Sequence, residues 1–165
     1  WGFASMGFGV CGVLGARLAA PNQVCVSVCG DGGFMMTPHI LCTAVEYNIP
    51  AVWIIFNNFG WNVIRHQANG AWPHREIITS FRKEETGELY NPDFASLAKS
   101  CGAQGARVEK PGDFGAVLED AIKANVPYVI DVPLERDARA PSVGTWELPP
   151  FRHPEPSYGK RNLRN

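Results

Sequence analysis

The chain has 165 residues, 45% of them apolar and only 19% charged, with 17 glycines and 13 prolines, which fits one well-buried domain joined by many tight turns. With 15 basic against 16 acidic side chains the net charge is -1 and no Lys/Arg block stands out, so nucleic acid and anionic lipid drop out as first partners. The longest apolar runs, such as residues 51–56, are strand-sized and far short of the ~20 residues a membrane-spanning helix needs.

From residue 5 to 20 small and apolar residues dominate. A helix crowded by Gly7, Gly9, Gly12 and Gly15 is expected there, provided something packs close against its backbone. Residues 24–29 (VCVSVC) predict a parallel strand covered on both faces, broken by Gly30-Asp31-Gly32-Gly33. Thr37-Pro38 predicts a capped helix start, with Ile40, Leu41, Ala44 and Val45 on its apolar face and His39 in a structural role. Residues 51–56 (AVWIIF) predict a second buried strand, ending in Asn57-Asn58-Phe59-Gly60.

Residues 62–90 show no sustained period and are expected to form a long functional or interface loop. Asn91-Pro92-Asp93 starts a helix with Phe94, Leu97, Ala98 and Cys101 on one face and Gly102 at its end; Pro111 starts another through Ile122. Residues 128–132 (YVIDV) are a final strand, and residues 106–109 a short one. From residue 133 onward, six of the 13 prolines occur without period, which predicts an extended tail carrying apolar Trp146, Leu148, Phe151 and Tyr158. The division is therefore an α/β domain over residues 1–132 and a tail over 133–165 that packs on the domain or on a neighbouring subunit.

Five cysteines (Cys11, Cys25, Cys29, Cys42, Cys101) form no CxxC pair and read as reduced, buried thiols, with Cys25 and Cys29 in the core. Together with the absence of a signal-like start at Trp1, this favours a cytoplasmic domain cut from a longer protein. The alternation of strands and helices implies a doubly wound, mostly parallel sheet with helices on both faces, whose ligands collect at the carboxyl ends of the strands.

Two constellations compete for chemistry. Gly7-Phe8-Gly9-Val10-Cys11-Gly12 matches GxGxxG, with Asp31 placed where a ribose-binding acid would be, and would make a dinucleotide-binding Rossmann-type module. That fingerprint needs a strand just before Gly7, which residues 1–6 supply poorly. The second pairs Asp31, after one buried strand, with Asn58, after the next, so both side chains meet at one sheet edge. A carboxylate, an amide oxygen and a backbone carbonyl suit Mg²⁺ and leave room for two phosphate oxygens and a water. The glycines flanking Asp31, Gly30 and Gly32, let the backbone approach a diphosphate. Each element alone is ordinary turn chemistry, and if both were only that, the chain would be a non-catalytic flavodoxin-like interaction domain.

GDG followed 27 residues later by the second Asn of NN resembles the cofactor motif of thiamine diphosphate enzymes. The run Ala4-Ser5-Met6-Gly7-Phe8-Gly9 is similar to the one preceding that motif in the acetohydroxyacid synthase and pyruvate decarboxylase group. The resemblance covers residues 1–132 and is most specific over 4–60. It implies thiamine diphosphate and Mg²⁺ as cofactors, with Asp31 and Asn58 as side-chain metal ligands and Gly60 as a carbonyl ligand. It also implies Gly32 and Gly33 as diphosphate donors, Trp61 beside the cofactor, Met6 beneath its bent form, and the Ala4 carbonyl as acceptor for its amino group. Any FAD would be bound elsewhere in a longer chain.

The stretch Gly60-Trp61-Asn62-Val63-Ile64-Arg65-His66 departs from a standard acetohydroxyacid synthase, so Asn62 and His66 become the substrate-facing candidates. The Trp61-Asn62 turn suggests a cyclohexane-1,2-dione hydrolase-like member. The implied activity makes or breaks a carbon–carbon bond beside the carbonyl of a 2-oxo acid or 1,2-diketone. The implied partner is the pyrimidine-binding domain of another subunit, in a homodimer or homotetramer, which would bring the catalytic acid.

Overall fold

The computed structural model describes residues 5–71 and 79–138. Ala4 and the tail residues Trp146, Leu148, Phe151 and Tyr158 therefore lie outside the described residues. Four strands, β1 (Val26–Gly30), β2 (Val52–Asn57), β3 (Gln104–Arg107) and β4 (Tyr128–Pro133), form one all-parallel sheet in the order β1-β2-β4-β3.

The run of apolar residues in β2 is explained by what covers it. Trp53 and Ile55 point to one face, where they pack with Val10, Val13 and Leu14 of α1 (Phe8–Ala19), Leu41 and Ala44 of α3 (Ile40–Glu46), and Phe94 and Ala98 of α5 (Phe94–Ser100). Val52 and Ile54 point to the other, against Ala121 and the half-buried Phe114, Val117 and Leu118 of α6 (Phe114–Ala124). With both faces in core, neither parity of the strand is left polar. The doubly wound reading is the observed fold.

β1 differs from expectation. It is an edge strand, and Val26 and Val28 are exposed on the face that α6 covers only further along the sheet. The glycine-rich helix α1 starts at Phe8, after Gly7 in the left-handed region (φ 87), rather than at residue 5. Its backbone is approached closely at one end only: Ser27 Oγ donates to the Gly9 carbonyl and Trp53 Nε1 to the Val10 carbonyl, each at 2.9 Å, while Gly15 has open space around it.

Thr37 does not cap α3. A short helical turn, α2 (Asp31–Phe34), runs into successive tight turns, with Thr37 N donating to the Phe34 carbonyl and Ile40 N to the Thr37 carbonyl. No extended residue is left just before Ile40 to place a capping oxygen, and Thr37 Oγ1 is buried with no partner among the described residues. Residues 62–90 are not one long loop either: α4 (Asn62–Ala71) occupies the first part. Its amphipathicity is inverted, Asn62 and Arg65 being buried while Val63 and Ile64 are 64% and 52% exposed. The cysteines are free, as expected, but none is fully buried and Cys42 is exposed. No helix among the described residues is long and apolar enough to cross a membrane.

α5 starts as the sequence predicts. Asp93 accepts from Ser96 N and Ser96 Oγ, both at 2.8 Å. The backbone bond first, and the hydroxyl second, hold its carboxyl below the ordinary 3.8. Asp93→Ala should cost about 1 kcal/mol, typical of a lost N-cap. Because the folded-state pKa is lowered, the contribution is present above the ordinary value and is lost as pH falls through the lowered one. Denaturation of both proteins at pH 7 and pH 2 checks this, the gap between them closing in acid.

Candidate functional site

The carboxyl ends of β1 and β2 lie side by side, with Gly30 paired to Phe56, so the turns that follow them meet. Asp31 opens α2 and is 1% exposed. Its Oδ1 accepts from Gly32 N at 2.8 Å; its Oδ2 accepts from Gly60 N at 3.1 Å and from Asn91 Nδ2 at 2.6 Å. The turn after β2 is thus pinned onto the aspartate by the Gly60 amide. Phe59 (φ 62) and Gly60 (φ 154) bend the chain sharply here, and Gly60 forms an antiparallel bridge with Ser80. That bridge bonds Trp61 N to the Thr79 carbonyl and Phe81 N to the Phe59 carbonyl, leaving the Gly60 carbonyl out of it.

In the turn bonded to Asp31 through Gly60 N, Asn58 Oδ1 is buried with no hydrogen-bond partner among the described residues. Buried amide oxygens are rarely left so, and one at a sheet's ligand edge has a lone pair to offer a donor or a cation. Trp61 lies over Gly32, where a Cβ would come within 2.3 Å of the indole, and stacks edge-on to Phe81 at 5.2 Å. Gly32 N–H is committed to Asp31, contrary to its expected role as a diphosphate donor. A donor one residue from an ionised carboxylate is captured by it, which leaves Gly33, in a turn whose first N–H groups have no intrahelical acceptor. Gly30 is exposed at the strand end, and Met6 is 51% exposed, so Met6 is not core.

Asn62 is only 7% exposed. Its Nδ2 donates to the Arg136 carbonyl at 2.9 Å and, longer, to the Asn58 carbonyl at 3.4 Å, which leaves Oδ1 as its unpartnered atom. His66 is half-buried one turn further along α4. Behind the turn lies a network that sequence reasoning missed. Asn91 Nδ2 also donates to Asn57 Oδ1 (2.6 Å), Asn57 Nδ2 to Asp131 Oδ1 (2.9 Å), and Arg107 Nη1 to Asp131 Oδ2 (2.6 Å). Burial pushes the Asp131 carboxyl up, opposed by Asn57 and Arg107. The Cys29 thiol is pushed up to about 12, first by burial and then by the charge of Asp31, so it is a neutral neighbour of the site. The signal for the network was a charged residue in the middle of YVIDV, a run otherwise apolar and covered on both faces.

The model of the family described as thiamine pyrophosphate enzyme, C-terminal TPP binding domain, matches residues 1–132. The chain belongs to this family. Among relatives of the TPP domain, a probable acetolactate synthase large subunit from Methanococcus aeolicus is 34% identical over 134 residues, 81% of this chain and 21% of that protein. A 3D-(3,5/4)-trihydroxycyclohexane-1,2-dione hydrolase from Bacillus subtilis (strain 168) is 32% identical over 136 residues, 80% of this chain and 20% of that protein. The solved thiamine diphosphate-dependent 4-hydroxybenzoylformate decarboxylase of Rhodococcus jostii RHA1 superposes with a TM-score of 0.67 at 28% identity, over 80% of this chain and 24% of that one. The chain thus spans about a fifth of the length of the curated relatives it matches.

Membership in the TPP family overturns the two competing readings. Among the described residues no strand precedes α1, and the Asp31 carboxylate is enclosed by its own turn instead of being open to a ribose, so Gly7-Gly9-Gly12 is not a dinucleotide fingerprint. The family matched is that of TPP-binding domains and not a flavodoxin-like one. The residues present fit the cofactor end that a TPP domain implies: an enclosed carboxylate and, in the turn bonded to it through Gly60 N, an orphaned amide oxygen.

Proposed function

We propose that this domain binds Mg²⁺ and the diphosphate end of thiamine diphosphate, within an enzyme that makes or breaks a carbon–carbon bond beside the carbonyl of a 2-oxo acid or 1,2-diketone. The observation that carries the reading is the unpartnered, buried Oδ1 of Asn58 in the turn that Gly60 N bonds to the enclosed carboxylate of Asp31. Asp31, Asn58 and the Gly60 carbonyl would hold the cation, an all-oxygen set of the kind Mg²⁺ prefers, and Gly33 would donate to the diphosphate. When bound, the cofactor supplies an electron sink for the bond being changed.

Around it, Met6 offers an exposed apolar side chain to the cofactor rings and Trp61 walls the Gly32 side. Asn62 and His66, at the start of α4, are the substrate-facing residues. Both acids at this edge are committed, Asp31 to three donors and Asp131 to Asn57 and Arg107. This favours a catalytic acid brought by the pyrimidine-binding domain of another subunit, in a homodimer or homotetramer. A trihydroxycyclohexane-1,2-dione hydrolase among the relatives supports keeping the 1,2-diketone class open.

Calorimetric titration of the complete enzyme with thiamine diphosphate tests this. Binding should require Mg²⁺, and Asn58→Ala should weaken it about tenfold, less than loss of the carboxylate ligand, because an amide brings no charge. Equal binding in excess EDTA would overturn the reading.

A further inference from the structure

We propose that Asn91 is a positioning residue that makes Asp31 a one-oxygen ligand and so biases the site toward Mg²⁺ over Ca²⁺; this rests on the reading of Asp31 as a metal ligand. Both Nδ2 protons of Asn91 are used, one on Asp31 Oδ2 and one on Asn57 Oδ1, each at 2.6 Å. Gly60 N adds a second donor to the same Oδ2 at 3.1 Å. An ionised carboxylate oxygen has about two lone-pair sites, so Oδ2 is saturated. Oδ1 accepts from Gly32 N alone and keeps one site open.

The direction of these bonds is set from behind. Asp131 is held by the Arg107 guanidinium and accepts from Asn57 Nδ2, which turns Asn57 Oδ1 toward Asn91. Asn91 then faces two acceptors and can present only its amide protons to them. The arrangement leaves Asn91 Oδ1 buried with no partner among the described residues. A native structure keeps such an orphan where another demand fixes the orientation, and here that demand is the saturation of Asp31 Oδ2.

The consequence is selectivity. Ca²⁺ has 6–8 oxygen ligands and readily takes both oxygens of one carboxylate, whereas Mg²⁺ is smaller and keeps to near-ideal octahedral geometry. Blocking Oδ2 therefore penalises Ca²⁺ and costs Mg²⁺ little.

The test uses the metal-free complete enzyme with saturating thiamine diphosphate, titrated separately with Mg²⁺ and Ca²⁺ by calorimetry. Asn91→Leu, which keeps the volume and removes both donors, should weaken Mg²⁺ about 10–100-fold, as loss of a group orienting a metal ligand does. Ca²⁺ should weaken less, shrinking the Mg²⁺/Ca²⁺ preference about tenfold. Asn91→Ser, which keeps one donor and is the variant to use if Leu does not fold, should fall between. Asp93→Ala loosens the same helix start without touching Asp31 and should leave the preference at its wild-type value. An unchanged preference in the Asn91 variants, with Mg²⁺ binding lost in Asp31→Ala, overturns this inference and leaves the metal site standing. Wild-type Mg²⁺ binding by Asp31→Ala removes the metal site and the inference with it.

Discussion

Asp31→Ala is expected to abolish Mg²⁺-dependent binding of thiamine diphosphate by the complete enzyme, weakening it more than about 100-fold, beyond what loss of an outer-shell partner costs. The change removes the one ionised ligand proposed for the cation and leaves the diphosphate charge uncompensated. It also strips an acceptor from Gly32 N, Gly60 N and Asn91 Nδ2. Unpaired buried donors cost about 1–3 kcal/mol each, but the space vacated by the carboxylate admits water, so about 2–3 kcal/mol in all is expected for the cofactor-free protein. Asp31→Asn is not a mild alternative, because an NH₂ group in place of Oδ2 would face two donors. Calorimetry reads the binding, and chemical denaturation without ligand reads the fold. Wild-type affinity in a folded Asp31→Ala protein would falsify the metal assignment.

Gly60→Ala should be strongly damaging, combining backbone strain with a clash against backbone atoms. At φ 154 an L side chain is strained, and the added Cβ would lie 2.4 Å from the Thr79 carbonyl oxygen and 3.1 Å from Ser80 Cα. Both are backbone atoms held by the bridge through Trp61 N and Phe81 N, so neither can swing aside. Strain of about 1–3 kcal/mol plus displacement of the bridge gives about 3–5 kcal/mol, together with loss of the Gly60 N bond to Asp31. Gly15→Ala is the counterpart: it lies inside α1 with nothing near its Cβ position and should stabilise by about 0.5–1 kcal/mol. Thermal melting of the two variants should therefore move in opposite directions. A Gly60→Ala protein as stable as wild type would mean the turn is not held as described.

What the sequence made legible follows from how local each signal is. β2 was readable as a continuous apolar run of strand length, as a strand covered on both faces must be, α5 because its apolar residues repeat at the helical period, and GDG and NN because strand ends are where turn residues concentrate. α4 was overlooked although Val63, Ile64, Ala68 and Ala71 recur at helical spacing; what the sequence could not show is that the polar Asn62 and Arg65 are the buried ones, held by hydrogen bonds. Thr37-Pro38 carries the right local chemistry for a cap, yet the turn begun at Asp31 had already set the backbone. The Asn91, Asn57, Asp131 and Arg107 chain joins residues up to 74 positions apart, and no spacing rule reaches that far.

The strand order also dictates when the site can come into being during synthesis. β4 is the last of the described strands to leave the ribosome, yet it fills the gap between β2 and β3. Until it enters, β2 and β3 have open edges toward one another, and Asn57 lacks the Asp131 carboxylate that orients it. The long-range pairing that completes the sheet is the slow kind of contact to form, since its loop must close before any bond rewards it. A nascent chain halted before residue 128 would hold the GDG and NN turns without the strand that aligns them, so the proposed ligand site has to wait for β4.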